Sequence, residues 1–159
     1  MIILIVYDSK TGNTEKLAKA IAKGAKDTGA DVKVLVKRTE QTTNQDLLNA
    51  DGIVMGSPTY FGQMSSKLKH IIDDSIEVHE RLQGKVGSAF TSSGGTASGA
   101  ETALLSIIQA MLIHGMIVQG NAEEKHYGVA CQGAPKASDL KACEQLGAKV
   151  VFLIQKLKA

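Results

Sequence analysis

The sequence predicts an open three-layer α/β fold: a doubly wound sheet of five parallel strands with helices on both faces. Three observations carry this expectation. Short unbroken runs rich in Ile and Val, the pattern of strands buried on both sides, alternate with segments of helical period. Five of each kind follow one another along the chain, an order that a parallel sheet with right-handed crossovers accommodates. The 159 residues, 43% hydrophobic and 21% charged, suffice for one domain with a sizeable core and are too few for two ordinary ones. That composition argues against disorder and against a small disulfide scaffold.

The first strand is expected over Ile2 to Tyr7, an apolar run that ends at Asp8 and is too short to cross a bilayer. This start lacks the basic stretch and small-residue cleavage site of a secretory signal, so a cytoplasmic location is expected. A helix follows, with Leu17, Ala18, Ile21, Ala22 and Ala25 on one face and Lys16, Lys19, Lys23 and Lys26 on the other. Gly29 supplies its left-handed stop. Asp31 to Val36 reads as the second strand, Asn44 to Ala50 as a short helix, and Gly52 to Gly56 as the third strand. Leu68, Ile71 and Ile72 mark a third helix, and Lys85 to Thr91 the fourth strand. The clearest helical stripe comes next, Leu104, Ile107, Ile108, Met111 and Leu112, closed by Gly115. Met116 to Gly120 reads as the fifth strand. A last helix starts near Ser138 as N-cap and buries Cys143, Leu146, Val150, Val151, Ile154 and Leu157. With no repeat and only two prolines, residues 1–159 are read as one domain.

Charge and cysteine content narrow the function. The 18 basic and 16 acidic side chains are spread so that no segment forms a basic stripe with interleaved aromatics, which gives nucleic-acid binding no support. Cys131 and Cys143 form no CxxC pair and have no spaced histidine partners, so no metal site or disulfide framework is expected. Cys143 falls on an apolar helical face. Cys131 lies in an irregular segment, Asn121 to Ala137, placed where it could close over a substrate.

In open α/β sheets ligands bind beyond the carboxyl ends of the strands, and three loops fall there. The first, Ser9-Lys10-Thr11-Gly12-Asn13-Thr14, joins a buried strand to a helix N-terminus. Free N–H groups, the positive end of the helix dipole, a glycine for close approach and the hydroxyls of Ser9, Thr11 and Thr14 make it an anion site suited to phosphate. Neither GxxxxGK[ST] nor GxGxxG is present. The second loop contains Ser57, Pro58, Thr59, Tyr60, Phe61 and Gly62. The third is glycine- and serine-rich, Ser92-Ser93-Gly94-Gly95 onward to Gly99.

Ser-x-Thr-Gly-Asn-Thr after a first strand resembles the phosphate loop of flavodoxin-like FMN proteins, whose strand order is 2-1-3-4-5. Gly56-Ser57-Pro58-Thr59-Tyr60-Phe61-Gly62-Gln63-Met64 resembles the second FMN loop of the tryptophan-repressor-binding-protein type of NAD(P)H:quinone oxidoreductase. Phe90 to Glu101, His114-Gly115-Met116 and Tyr127-Gly128 continue the likeness over essentially the whole chain. The segment between the second and third strands lacks an insertion that accompanies tetramer formation in that family, so a tetramer is not assumed. Tyr60 stands where the family has arginine, and Thr11 where an aromatic is often found.

The resemblance implies FMN as cofactor, with Tyr60 and Phe61 beside the flavin ring and the glycine-rich loop presenting N–H donors where charge appears on reduction. It also implies a place near the flavin for His114, although a histidine in the last turn of a helix is equally accounted for by the dipole. No Asp or Glu occurs from Ser57 to Ser66 or from Ser92 to Ala100. An acidic surround would disfavour a negatively charged reduced flavin. Its absence points to two-electron transfer from NAD(P)H to a quinone or similar small-molecule acceptor. The alternative is a flavodoxin that carries electrons between redox protein partners. A phospho-receiver domain of the same topology is excluded, because Asp8 stands alone and the third strand ends in Gly56-Ser57-Pro58 rather than in aspartate.

Overall fold

In the computed structural model, which describes residues 1–159, the apolar runs pair into one parallel sheet. Its strands are β1 (Ile2–Tyr7), β2 (Lys33–Arg38), β3 (Gly52–Pro58), β4 (Val86–Ser93), β5 (Ile117–Val118) and β6 (Val129–Gln132). The order is β2-β1-β3-β4-β5, as expected from the resemblance, with β6 also beside β4. The helices are α1 (Asn13–Lys26), α2 (Asn44–Asn49), α3 (Ser66–Asp74), α4 (Ala100–Ile113) and α5 (Ala137–Lys158). No helix is long and apolar enough to cross a membrane.

Alternation along the strands divides the core into two layers. Ile3, Ile5, Val54 and Phe90 face α1 and α5, where Leu17, Ile21, Val151 and Ile154 meet them. Leu4, Val6, Ile53 and Met55 face the other way, onto Leu47 of α2, Leu68 of α3, and Leu104, Ile107 and Met111 of α4. The edge strand β2 is only half-buried. Its register with β1 sets Ile2 against Lys33 and Tyr7 against Arg38, so it lies two residues later than Asp31–Val36. That shift carries Arg38 to the carboxyl edge of the sheet.

The fifth lane differs most from expectation. β5 covers only Val86 and Gly87 of β4, the chain then leaves the sheet over 119–128, and β6 resumes opposite Phe90 to Ser93. The segment read as irregular thus contains a strand. Two smaller differences concern helices. Leu112 and Leu157 are exposed, because α4 and α5 bury narrower stripes than their composition allows. The Asp139 carboxylate, not Ser138, caps α5 by accepting the Lys136 N–H at 2.9 Å.

α1 and α5 cross in direct backbone contact. A Cβ on Gly24 would collide with the Glu144 carbonyl, and one on Gly147 with the Ile21 carbonyl. Gly24→Ala and Gly147→Ala are each expected to lower unfolding free energy by about 1–3 kcal/mol through overpacking. Urea denaturation reads this as a lower midpoint at unchanged slope; unchanged midpoints for both variants would contradict the close crossing.

Candidate functional site

The first loop leaves β1 and turns into α1 through Gly12, whose φ of +87° is the left-handed conformation that glycine adopts without strain. The buried Ser9 organises it: its Oγ accepts the N–H of Gly12 at 3.1 Å and of Glu15 at 3.3 Å. Arg38, brought here by the β2 register, donates from Nη2 to the Ser9 carbonyl at 2.7 Å and lies 5.5 Å over the Tyr7 ring. Both carboxylates beside its guanidinium have a second cation. Glu15 bonds Lys19 at 2.7 Å, and Glu40 bonds Lys67 at 2.5 Å. The hydrogen bond from Lys67 pulls the Glu40 carboxyl down to about 2. With the buried Asp8, whose charge also acts on Lys67, three carboxylates balance three cations behind the loop.

Hydroxyls tie the second and third loops to the first. Thr14 Oγ1 and Ser92 Oγ are 2.9 Å apart and buried. Thr91 Oγ1 donates to the Ser57 carbonyl at 2.7 Å and lies 2.9 Å from Thr59 Oγ1, while the Thr59 N–H donates to the Ser92 carbonyl at 2.8 Å. The fully buried Ser57 Oγ accepts the Ser65 N–H at 2.7 Å. Tyr60 and Gln63 exchange backbone hydrogen bonds around a two-residue turn, in which Phe61 and Gly62 both have positive φ, +50° and +73°. Phe61 is therefore no core residue; its ring stands fully in solvent, and Tyr60 is 40% exposed.

Between these loops lies a hollow of about 310 Å³. Lys10, Thr11, Asn13 and Thr14 line it from the first loop, Pro58, Thr59 and Tyr60 from the second, and Ser92, Ser93 and Gly94 from the third. Ser9, Gly12, Ser57, Phe61, Gly62 and Gly95 belong to the same loops without lining it. Gly133 after β6 joins the lining, and its N–H donates to the Ser93 carbonyl at 2.8 Å. Neither Gly133 nor Arg38 was marked by a local motif; only strand pairing brings them here.

His114 lies away from the hollow. It ends α4 at the amino edge of the sheet, where Nδ1 donates to the Ala110 carbonyl and Nε2 lies 2.7 Å from Ser75 Oγ. The 14 residues of α4, about 21 Å of helix, separate it from the glycine-rich loop. Within one chain, His114 therefore stands apart from the three flavin loops.

The hollow suits FMN on its own chemistry. It offers a helix N-terminus, hydroxyls and one ammonium for a dianion, an extended slot between three loops for a ring, and no carboxylate in its lining. Residues 39–124 match the family of NADPH-dependent FMN reductases. A curated NAD(P)H dehydrogenase (quinone) from Archaeoglobus fulgidus is 37% identical over 98% of each chain. The chain belongs to this flavodoxin-like family. It is an FMN-binding redox flavoprotein with NAD(P)H oxidoreductase character. A flavodoxin from Aquifex aeolicus is 36% identical, covering 93% of this chain and 84% of its own. A solved WrbA-like flavodoxin from Agrobacterium tumefaciens shares the fold, with TM-score 0.84 and 23% identity over 98% of each chain.

The cysteines of this flavoprotein lie behind the site. Burial pushes the Cys131 thiol up to about 11 and the Cys143 thiol to about 12. Both therefore stay protonated at pH 8, and the thiolate is the reactive form. Ellman's reagent at pH 8 is expected to leave both unmodified in the native protein and to titrate both after unfolding. Rapid native labelling of Cys131 would show that β6 opens.

Proposed function

We propose that the protein catalyses NAD(P)H-dependent two-electron reduction of a quinone or similar small-molecule acceptor, at FMN held by the three loops. The observation that carries this reading is a hollow at the carboxyl edge walled by N–H and hydroxyl groups with no carboxylate. Bound FMN supplies the redox chemistry, accepting a hydride equivalent and passing two electrons on. The chain binds and orients. Thr11, Asn13, Thr14 and the start of α1 hold the phosphate; Lys10 adds a charge and Arg38 a second from behind through Ser9. Ser92, Ser93 and Gly94 present donors to the polar edge of the ring, which favours charge gained there on reduction. Pro58, Thr59 and Tyr60 form the opposite wall, and Phe61, raised on its rigid turn, flanks the approach of the acceptor.

The likeness to the Aquifex flavodoxin favours a second reading, an electron carrier serving redox proteins. On either reading the protein acts in the cytoplasm as one domain with one flavin site, and no tetramer is required. Steady-state oxidation of NADH and NADPH with benzoquinone separates the two. The proposal expects saturable turnover and anaerobic photoreduction that passes directly from the oxidised to the fully reduced spectrum. Negligible oxidation of both nucleotides by FMN-loaded protein would leave the carrier.

The phosphate assignment has its own test. Thr14→Ala loses a hydrogen bond to a charged group and the tie to Ser92, so FMN affinity is expected to fall about tenfold or more. Arg38→Gln is expected to weaken FMN markedly and riboflavin, which has no phosphate, much less. Quenching of flavin fluorescence measures both; equal losses for the two flavins would make Arg38 a scaffold residue only.

A further inference from the structure

The break in the fifth lane opens a second cavity. β5 ends opposite Gly87 and β6 begins opposite Phe90, so Ser88 and Ala89 have no partner strand on that side. The excursion 119–128 arches over the gap, and α5 closes it from the sheet face. The half-open space between them is about 300 Å³ and shares no residue with the flavin hollow.

Its lining combines three chemistries. Val86, Val129, Leu146, Val150 and Leu153 form apolar walls. Gly87, Gly120 and Gly128 leave bare backbone beside them, and Phe152 adds an aromatic ring, so a flat apolar body fits. Ser88 is the buried polar side chain of this lining, only 6% exposed. Every fully buried polar side-chain atom in the chain has a hydrogen-bond partner, whereas the Ser88 hydroxyl has none within the protein and so opens into the cavity. At the mouth, Lys125 is offset by Asp139 at 3.6 Å. Glu123 and Glu124 pair with no cation and stand against a single unpaired ammonium, that of Lys149, which leaves the mouth negative by one charge.

We propose that this cavity is a second ligand site, for a small aromatic amine bearing a hydroxyl at the end opposite its ammonium group. The hydroxyl supplies the partner that Ser88 lacks, the ring lies against the apolar walls, and the ammonium meets Glu123 and Glu124. Burying an unpaired hydroxyl is costly, so the buried polar group sets specificity, while the exposed carboxylates contribute a weaker, salt-sensitive preference for a cation.

Tyramine is the probe, tested on FMN-loaded protein by ¹⁵N–¹H chemical-shift titration. Phenethylamine, which lacks the hydroxyl, and 4-hydroxyphenylpropionate, which replaces the amine by a carboxylate, are the comparisons. Saturable tyramine binding is expected, with shifts at Gly87, Gly120 and Gly128, and at least about tenfold weaker binding of both comparison compounds. Ser88→Ala is expected to reduce tyramine affinity to that of phenethylamine and to leave phenethylamine binding unchanged. Glu123→Gln with Glu124→Gln should remove the preference for the amine over the carboxylate. Retained flavin absorbance confirms that each variant is folded, since the two sites share no residue. Absence of saturation in wild type, equal binding of the three compounds, or shifts confined to the flavin loops would each overturn the proposal.

Discussion

Thr14 and Ser92 come from loops 78 residues apart, and their hydroxyls meet at 2.9 Å in a buried position. Thr59 and Thr91 repeat the arrangement between β3 and β4, with Thr91 also donating to Ser57. Three loops rich in glycine and small polar residues would, untied, each sample many conformations. Cross-linking by hydroxyls at the strand ends places the ordering cost in folding rather than in cofactor binding. It also leaves the remaining N–H groups with no internal competitor, so they are free for a ligand. The site's geometry is therefore a property of the sheet edge as a whole and not of any one loop.

Electrostatics follow from the same edge. A loop built of hydroxyls and amides orients a phosphate but holds little charge. One layer behind, Arg38 reaches the Ser9 carbonyl, and its two carboxylate neighbours are each bonded to another lysine. The guanidinium can therefore act both as a donor that fixes the loop and as a source of field. Its placement at the end of an edge strand keeps the guanidinium out of the hollow, whose lining holds a single cation, Lys10. On the ring side, the missing carboxylates remove a penalty on charge gained at reduction, consistent with an enzyme that handles electron pairs.

Much of this was legible in the sequence because its chemistry is consecutive. Ser9 to Thr14, Ser57 to Gly62 and Ser92 to Gly95 are contiguous, and each follows a strand whose unbroken apolar run is hard to mistake. What escaped depends on pairing between distant elements. Arg38 is an ordinary charged residue until the register sets it beside Tyr7. Gly133 becomes a lining residue only once β6 lies along β4, and Val129–Gln132 is too short to show a period. His114 shows the converse: its neighbours resemble a family motif, but the length of α4 sets it at the far edge of its own chain. Phe61 could not be assigned by hydrophobicity, since a positive φ in a two-residue turn aims its ring outward regardless of its affinity for a core.

The broken fifth lane shows why that excursion begins and ends where it does. Continuing β5 past Val118 would lay Gln119, Gly120 and Asn121 along Ser88 to Phe90, a polar stretch of poor strand propensity in a lane packed against α5. The chain instead leaves the sheet and re-enters at Gly128, whose φ of +121° lets its backbone press against the Ala89 carbonyl, where any Cβ would collide. Val129 and Cys131 can then bury beside Phe90 and α5. β6 is thereby held at the carboxyl half of β4, and the Gly133 N–H reaches Ser93 at the flavin hollow. The turn that completes the cofactor site and the gap that forms the second cavity are two ends of one solution to a lane too polar to run straight.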